Sequence, residues 1–383
     1  MQFRAAVLHA PHTPLAIETI EAVDLRPNDV LVRVAAAGLC HTDLEVIEGQ
    51  LVYPMPIVLG HETAGVIEAV GSAVSPKRRG ERVVLSWNPH CGHCFHCERD
   101  QPILCETYIS NGPHAVQFDG TTRLRLGGAP LRTMFYMAGF AEYAIVTDSC
   151  AITMPADMPL DRACLIGCGV MTGVGAAINI ARLGYGETVM VIGCGAVGLS
   201  AVQGARLAGA TAILAVDRNR DRLALAQRVG ATHVAAVPDE DALEVARRLT
   251  GGRGVDCVLE SAGNAPAFRL SAEACRPGGQ IVWLGKTGVN EDVAFRWGSL
   301  MGEKRIVRSS YGGARPQRDF PLLARAYLDG KLHLDPYLTR PLKLEDINAG
   351  FADLKAGRGI RSVILFAGKP LISACLRKVS PTC

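Results

Sequence analysis

The stretch from Thr188 to Gly285 alternates apolar runs with amphipathic ones: VMVIG, AVGLSAVQGARLAG, AILAVD, RDRLALAQRVG, THVAAV, ALEVARRLT, VDCVLESAG and QIVWLG. Short continuous apolar runs suit strands buried on both faces, and the longer runs between them suit covering helices. Parallel neighbours need a crossover helix, so this rhythm predicts an α/β fold with a doubly wound parallel sheet. Gly193, Gly195 and Gly198 form GCGAVG directly after the strand VMVI, with Ala196 and Val197 leading into the helix. Gly193 permits a tight turn, Gly195 lets the backbone approach a pyrophosphate, and Gly198 lets helix and sheet lie close. A helix amino terminus then faces the phosphates. The alternative, a glycine-rich packing turn with no nucleotide, would not need Asp217 at the end of the next strand. A carboxylate there bonds the ribose hydroxyls and repels a 2′-phosphate, so NAD is expected over NADP, although Arg218 softens the exclusion.

Residues 1 to 169 carry VLVRVAAAG, AGVIEAVG, ERVVLSW and AEYAIV between glycines and prolines, which predicts a mainly β domain. After Tyr311 the segments PLLARAYLDG and SVILF are too short for a third domain and are expected to rejoin the first. The expected division is therefore 1–169 with 311–383 in one domain and 170–310 in the other, with a loose tail from Pro370 to Cys383. A 383-residue chain that is 49% hydrophobic can bury two cores. Its formal net charge of +3 is too small to argue for nucleic acid or an anionic membrane, so a small-molecule partner is expected. The start, MQFRAAVLHAPH, lacks the apolar segment of a signal peptide, which suggests a cytoplasmic location. Residues 188–205 contain no charge, yet their glycine pattern reads as strand and helix rather than as a membrane span.

In NPHCGHCFHCERDQPILC, Cys91, Cys94, Cys97 and Cys105 have the spacing with which four thiolates close a tetrahedron around zinc. Protein fills all four positions, so this would be a structural site. Buried or bridged cysteines and an iron–sulfur cluster are the alternatives, and no cluster-type context follows the array. His90, His93 and His96 lie inside it and read as solvated loop residues.

Cys40, His61 and Cys168 stand far apart in GLCHTD, GHE and GCGV, and spacing alone does not join them. With GLCHTDLEVIEG, VLGHETAGVIEAVG, the four-cysteine loop, LIGCGVMTGVGAA, VIGCGAVGLSAVQGARLAGA and GIRSVILF in this order, however, the chain resembles the zinc-containing alcohol dehydrogenases of the medium-chain dehydrogenase/reductase family. The resemblance implies a GroES-like catalytic domain beside a Rossmann domain, and two zinc ions per chain. It makes Cys40, His61 and Cys168 ligands of a catalytic zinc whose fourth position is open, as a Lewis acid that lowers the pKa of an alcohol requires. Asp43 would hold the His61 imidazole, and Glu62 would stand beside the metal. His41 and Arg361 would meet the coenzyme pyrophosphate, with Arg222 near the adenosine ribose. Thr42 would accept the hydroxyl proton. Many family members carry a histidine three residues after this threonine; here Glu45 occupies that place, so Glu45 or His41 is expected to finish the relay.

The same resemblance puts Leu51, Trp87, Ser110, Phe135, Tyr136 and Met137 around the substrate channel, with Trp87 narrowing it to suit a primary alcohol. The implied reaction is the reversible oxidation of an aliphatic or aromatic primary alcohol to an aldehyde, with hydride transfer to NAD. A polyol or secondary-alcohol dehydrogenase, and a noncatalytic nucleotide-binding or structural protein, are the alternatives on this scaffold. Leu51 and Ile109 stand where the glutathione-dependent formaldehyde dehydrogenases use an acid and an arginine, which argues against that activity. The long segment from Glu106 to Phe140 is similar to that of dimeric members, so a homodimer is expected.

Overall fold

The computed structural model describes residues 1–367; the expected loose tail from Pro370 to Cys383 lies outside the described residues. The alternating stretch forms a six-stranded sheet in the spatial order His233–Ala236, Ala212–Asp217, Thr188–Ile192, Val255–Glu260, Cys275–Trp283, Arg305–Arg308. Every neighbouring pair in it is parallel. The period of two explains the unbroken apolar runs. Val189 and Val191 pack into the core on one face, and Met190 and Ile192 into the core on the other. Strand order reverses between Thr188–Ile192 and Val255–Glu260, and a doubly wound sheet opens its ligand crevice at such a reversal.

Helix Ala196–Ala208 starts from Gly195 and stops at Gly209, whose φ of +89° lets its N–H turn back to the carbonyls of Ala205 and Arg206. The charge-free 188–205 segment is thus a buried strand and helix, and among the described residues no single helix is long and apolar enough to cross a membrane. Helix Arg220–Val229 is capped by Asn219, whose side-chain oxygen accepts from the N–H groups of Asp221 and Arg222 at 2.9 and 3.2 Å.

The first part of the chain builds a closed barrel from Gln2–Leu8, Ala16–Ala22, Leu124–Leu126, Ala129–Thr133 and Ile57–Val58. A second sheet beside it has Asp29–Gly38 and Glu62–Val70 at its centre. Strand Arg361–Leu365 pairs antiparallel with Asp29–Gly38, setting Val363 opposite Gly38. This pairing delivers Arg361 next to Cys40. Ala36, Ala64 and Val84 from this sheet share one apolar cluster with Val191, Leu199 and Val202 of the parallel unit. That shared core fixes one side of the junction; the other side opens as a cleft.

Candidate active site

Three distant elements end at one point. Cys40 caps helix His41–Ile47, His61 precedes strand Glu62–Val70, and Cys168 sits at the break before helix Gly169–Gly175. One ligand atom from each lies within 4.8 Å of the others. Asp43, fully buried, accepts from the backbone N–H groups of Cys40 and Gly60 at 3.1 and 3.0 Å and lies 3.1 Å from His61 Nδ1. This leaves His61 Nε2 buried with no hydrogen-bond partner. A buried imidazole nitrogen left unpaired costs about 1–3 kcal/mol, a cost that coordination to a metal removes. Hydrogen bonding with Cys168, helped by the nearby Arg361 and His61 charges, holds the Cys40 thiol well below its ordinary value. The same contact, together with burial, holds Cys168 well above. Two sulfurs and one imidazole facing a cleft fit zinc with one position open.

Glu62 lies behind this group. Its carboxylate receives Arg361 Nε and Nη2, both at 3.2 Å, and the N–H of Gly169 at 3.1 Å. Burial pushes Glu62 up to about 7 against the pull of Arg361. The guanidinium borders the cleft, and its Nη2 also lies 3.7 Å from Cys40 Sγ. A buried carboxylate needs a cation, and Arg361 supplies it through Nε and Nη2 while still lining the cleft.

The four cysteines of the loop also gather within 4.8 Å, with Cys91 and Cys97 sulfurs 4.0 Å apart. A zinc tetrahedron with bonds of about 2.3 Å has edges of about 3.8 Å, whereas a disulfide needs about 2.05 Å. Backbone N–H groups of Glu106 and Cys97 pull Cys94 down to about 6, while burial and the adjacent thiols push Cys97 up to about 12. Full ionisation of the set therefore calls for a cation among the sulfurs. The histidines of the loop stay outside it: His93 meets the Cys91 carbonyl and His96 the Gln101 side chain.

A cleft of about 1430 Å³ runs from Cys40, His61 and Cys168 past the glycine turn to Asp217. Gly193 has φ of +87°. A side chain at Gly195 would meet nothing within 4 Å, so the turn leaves an open cradle. A Cβ at Gly198 would fall 1.7 Å from the Gly193 carbonyl oxygen, which is why only glycine lets the helix start there. The Asp217 carboxylate accepts from the N–H groups of Cys194 and Asn219 at 2.6 and 2.8 Å and still faces the cleft. Ala196, Val197 and Arg222 border the same space, and Arg222 also donates to the Gly357 carbonyl at 3.0 Å. Nearer Cys40, His61 and Cys168 stand His41, lowered by burial, with Thr42 and Glu45. These are the residues that a dinucleotide would need.

Two family models match the chain, one for the alcohol dehydrogenase GroES-like domain over residues 26–156 and one for zinc-binding dehydrogenase over residues 196–328. An alcohol dehydrogenase zinc-binding domain protein from Burkholderia ambifaria is 37% identical over 96% of this chain and 100% of its own, with a TM-score of 0.92. Benzyl alcohol dehydrogenase from Acinetobacter calcoaceticus is 31% identical over 96% and 100%, with a TM-score of 0.90. The chain belongs to the zinc-containing alcohol dehydrogenases of the medium-chain dehydrogenase/reductase family. It is an oxidoreductase of the zinc-binding, nicotinamide-dependent type. A similar structure from Sinorhizobium meliloti 1021, 26% identical over 96% and 100% with a TM-score of 0.80, has NADP bound.

The channel of this dehydrogenase departs from the expected set. Trp87 and Phe135 line it; Leu51, Ser110, Tyr136 and Met137 do not. Phe135 and Tyr136 have φ of +49° and +66°, a double left-handed turn that aims Phe135 at the cleft and sends Tyr136 and Met137 into the core. The Tyr136 hydroxyl donates to the Tyr108 carbonyl at 2.8 Å, and the exposed Ser110 donates to the Thr107 carbonyl at 3.1 Å. Leu51 packs against the core of the first unit. Their places are taken by Ile103, Leu104, Tyr108 and Tyr311. Tyr311 stacks on Trp87 at 4.1 Å between ring centroids, and Phe135 lies 5.2 Å from Trp87 and 5.5 Å from His61. Leu104 and Tyr108 flank the last cysteine, Cys105, on two separate helical turns, Pro102–Leu104 and Glu106–Asn111. Tyr311 stands in no motif. Glu260, also missed, is fully buried and bonds the N–H groups of Ala262 and Gly263 at 2.7 Å each, shaping the cleft wall at a strand end.

Proposed function

We propose that this dehydrogenase reversibly oxidises a primary alcohol carrying an aromatic ring to the aldehyde, with NAD as hydride acceptor. The observation that carries the substrate class is the aromatic wall of Trp87, Tyr108, Phe135 and Tyr311 beside Cys40, His61 and Cys168. Apolar faces of this kind hold a flat ring by offset or edge contacts worth about 0.5–1.5 kcal/mol each beyond area burial. The likeness to benzyl alcohol dehydrogenase supports the same class. Residues 170–310 act as the coenzyme-binding unit and the rest of the chain as the catalytic unit.

Cys40, His61 and Cys168 would hold the catalytic zinc, and Cys91, Cys94, Cys97 and Cys105 a structural one, two per chain. When bound, the catalytic ion supplies Lewis acidity that favours loss of the hydroxyl proton. Asp43 fixes the His61 ring for that task. Thr42 takes the hydroxyl proton, and His41 beside it hands the proton toward solvent; Glu45 is tied to Lys286 and stands aside from this path. The aromatic wall excludes water while hydride leaves the carbinol carbon. The ratio of kcat/KM for benzyl alcohol to that for ethanol is expected to lie well above one. A ratio below one would return the channel to small aliphatic alcohols.

The preference for NAD rests on Asp217, whose carboxylate would repel a 2′-phosphate. Asp217→Ala is expected to raise kcat/KM with NADP relative to NAD by about tenfold or more, which corresponds to about 1.4 kcal/mol. An unchanged ratio would remove Asp217 from coenzyme choice. The homodimer reading draws support from the outer strand Arg305–Arg308 and the exposed Trp297 and Met301, which precede it closely in the chain. Open strand edges and apolar patches of this kind are ordinarily covered. A molar mass near twice the 40.7 kDa chain would support it, and a monomer or tetramer would refute it.

A further inference from the structure

Among the described residues, one ion pair joins residues 170–310 to the rest of the chain: Lys286 Nζ with Glu45 Oε2. The other salt bridges near the junction, Arg162 with Asp335, Arg315 with Asp100 and Arg361 with Glu62, each stay on the catalytic side. The remaining contacts between the two units on the closed side are apolar, or are hydrogen bonds such as Gln203 to the His333 carbonyl. Glu45 comes from helix His41–Ile47, which starts at the metal ligand Cys40. Lys286 follows the end of strand Cys275–Trp283 by three residues. Both side chains line the cleft, from opposite walls, and both are partly exposed, at 24% and 44%.

We infer that Glu45 and Lys286 are positioning residues that latch the two walls of the coenzyme cleft together. The inference rests on the reading of that cleft as the nicotinamide coenzyme site. The shared core already fixes the closed side of the junction, so the spacing at the open side depends on whatever crosses there. A single charge pair reaching across can be broken and remade, which a packed apolar contact of the same span cannot do without exposing its surface. A dinucleotide that enters or leaves by this open side has the pair to pass. The pair therefore raises the barrier to both events and leaves the balance between them nearly unchanged. It also explains why an acid in this helix is accompanied by a lysine on the facing wall.

The test is stopped-flow binding and release of NADH, followed by its fluorescence, with the zinc-loaded protein and its variants Lys286→Met, Glu45→Gln and the exchanged pair Glu45→Lys with Lys286→Glu. Association and dissociation rates are expected to rise together by about threefold in each single variant, the scale of a partly exposed ion pair, while Kd moves less than twofold. The exchanged pair should bring both rates back. Added salt should speed the parent protein and leave the single variants unaffected, because screening weakens only the intact pair. Unchanged rates would overturn the latch. So would a rise in Kd that the exchanged pair fails to restore, since that would place Lys286 on the coenzyme itself. Failure of the parent protein to bind NADH at all would instead overturn the coenzyme reading beneath it.

Discussion

Cys168→Ser is expected to lower kcat/KM for benzyl alcohol by about 10³-fold or more, to remove one zinc per chain, and to leave the unfolding midpoint within a few degrees of the parent. The magnitude follows from losing Lewis-acid stabilisation of several kcal/mol, at about 1.4 kcal/mol per factor of ten. The modest effect on stability follows from where the residue stands. Cys168 occupies a break between two helical turns, and its partners there are the Cys40 thiol and the open cleft. The helices on either side are held by their own apolar contacts, with Ile166, Val170, Met171 and Val174 all buried in the shared core. Metal analysis, a thermal scan and steady-state kinetics on one preparation check the three parts. A variant that kept both zinc ions and its activity would remove Cys168 from the active site.

Cys97→Ser should behave in the opposite way, with stability falling first and activity following it. The loop from Cys91 to Cys105 has little to hold it apart from the sulfurs: Cys91, Cys94 and Cys97 are only partly buried, and the short turns between them contribute no buried residue. Structural zinc contributes its binding free energy directly to folding. If about 4 kcal/mol is lost, an unfolding entropy of about 2.1 cal/mol/K per residue lowers the midpoint by about 5 °C. A chelator acting on the parent protein should reproduce the shift, and the variant should no longer respond to it. The loop also reaches the channel through Ile103, Leu104 and Tyr108, so its loosening should raise KM for an aromatic alcohol as well.

The parallel sheet and the glycine turn were readable from residues because each rests on local rules: a period of two for the strands, and backbone geometry at Gly193 and Gly198. The four-cysteine site was equally local, with all its ligands inside one short loop. Cys40, His61 and Cys168 were different. No spacing rule joins three residues brought together by separate strands and a helix break, and only the family resemblance paired them. The channel was least legible. Phe135 faces the cleft while Tyr136 and Met137 do not because of a left-handed double turn, and neither residue type announces such a turn in advance. Tyr311 enters from the point where the chain leaves the parallel sheet, and Lys286 faces Glu45 only once the two units are docked. The Arg361–Glu62 pair shows the same limit, since its two partners lie 299 positions apart in the chain.

Oxidation of an aromatic primary alcohol with NAD is the activity proposed for this cleft. Incubation of the zinc-loaded protein with benzyl alcohol and NAD, monitored by the near-ultraviolet absorbance of NADH alongside the aldehyde formed, addresses it most directly. The predicted result is NADH and benzaldehyde in equal amounts, abolished by prior zinc removal and restored by zinc. Fully zinc-loaded protein that forms neither product would contradict the account.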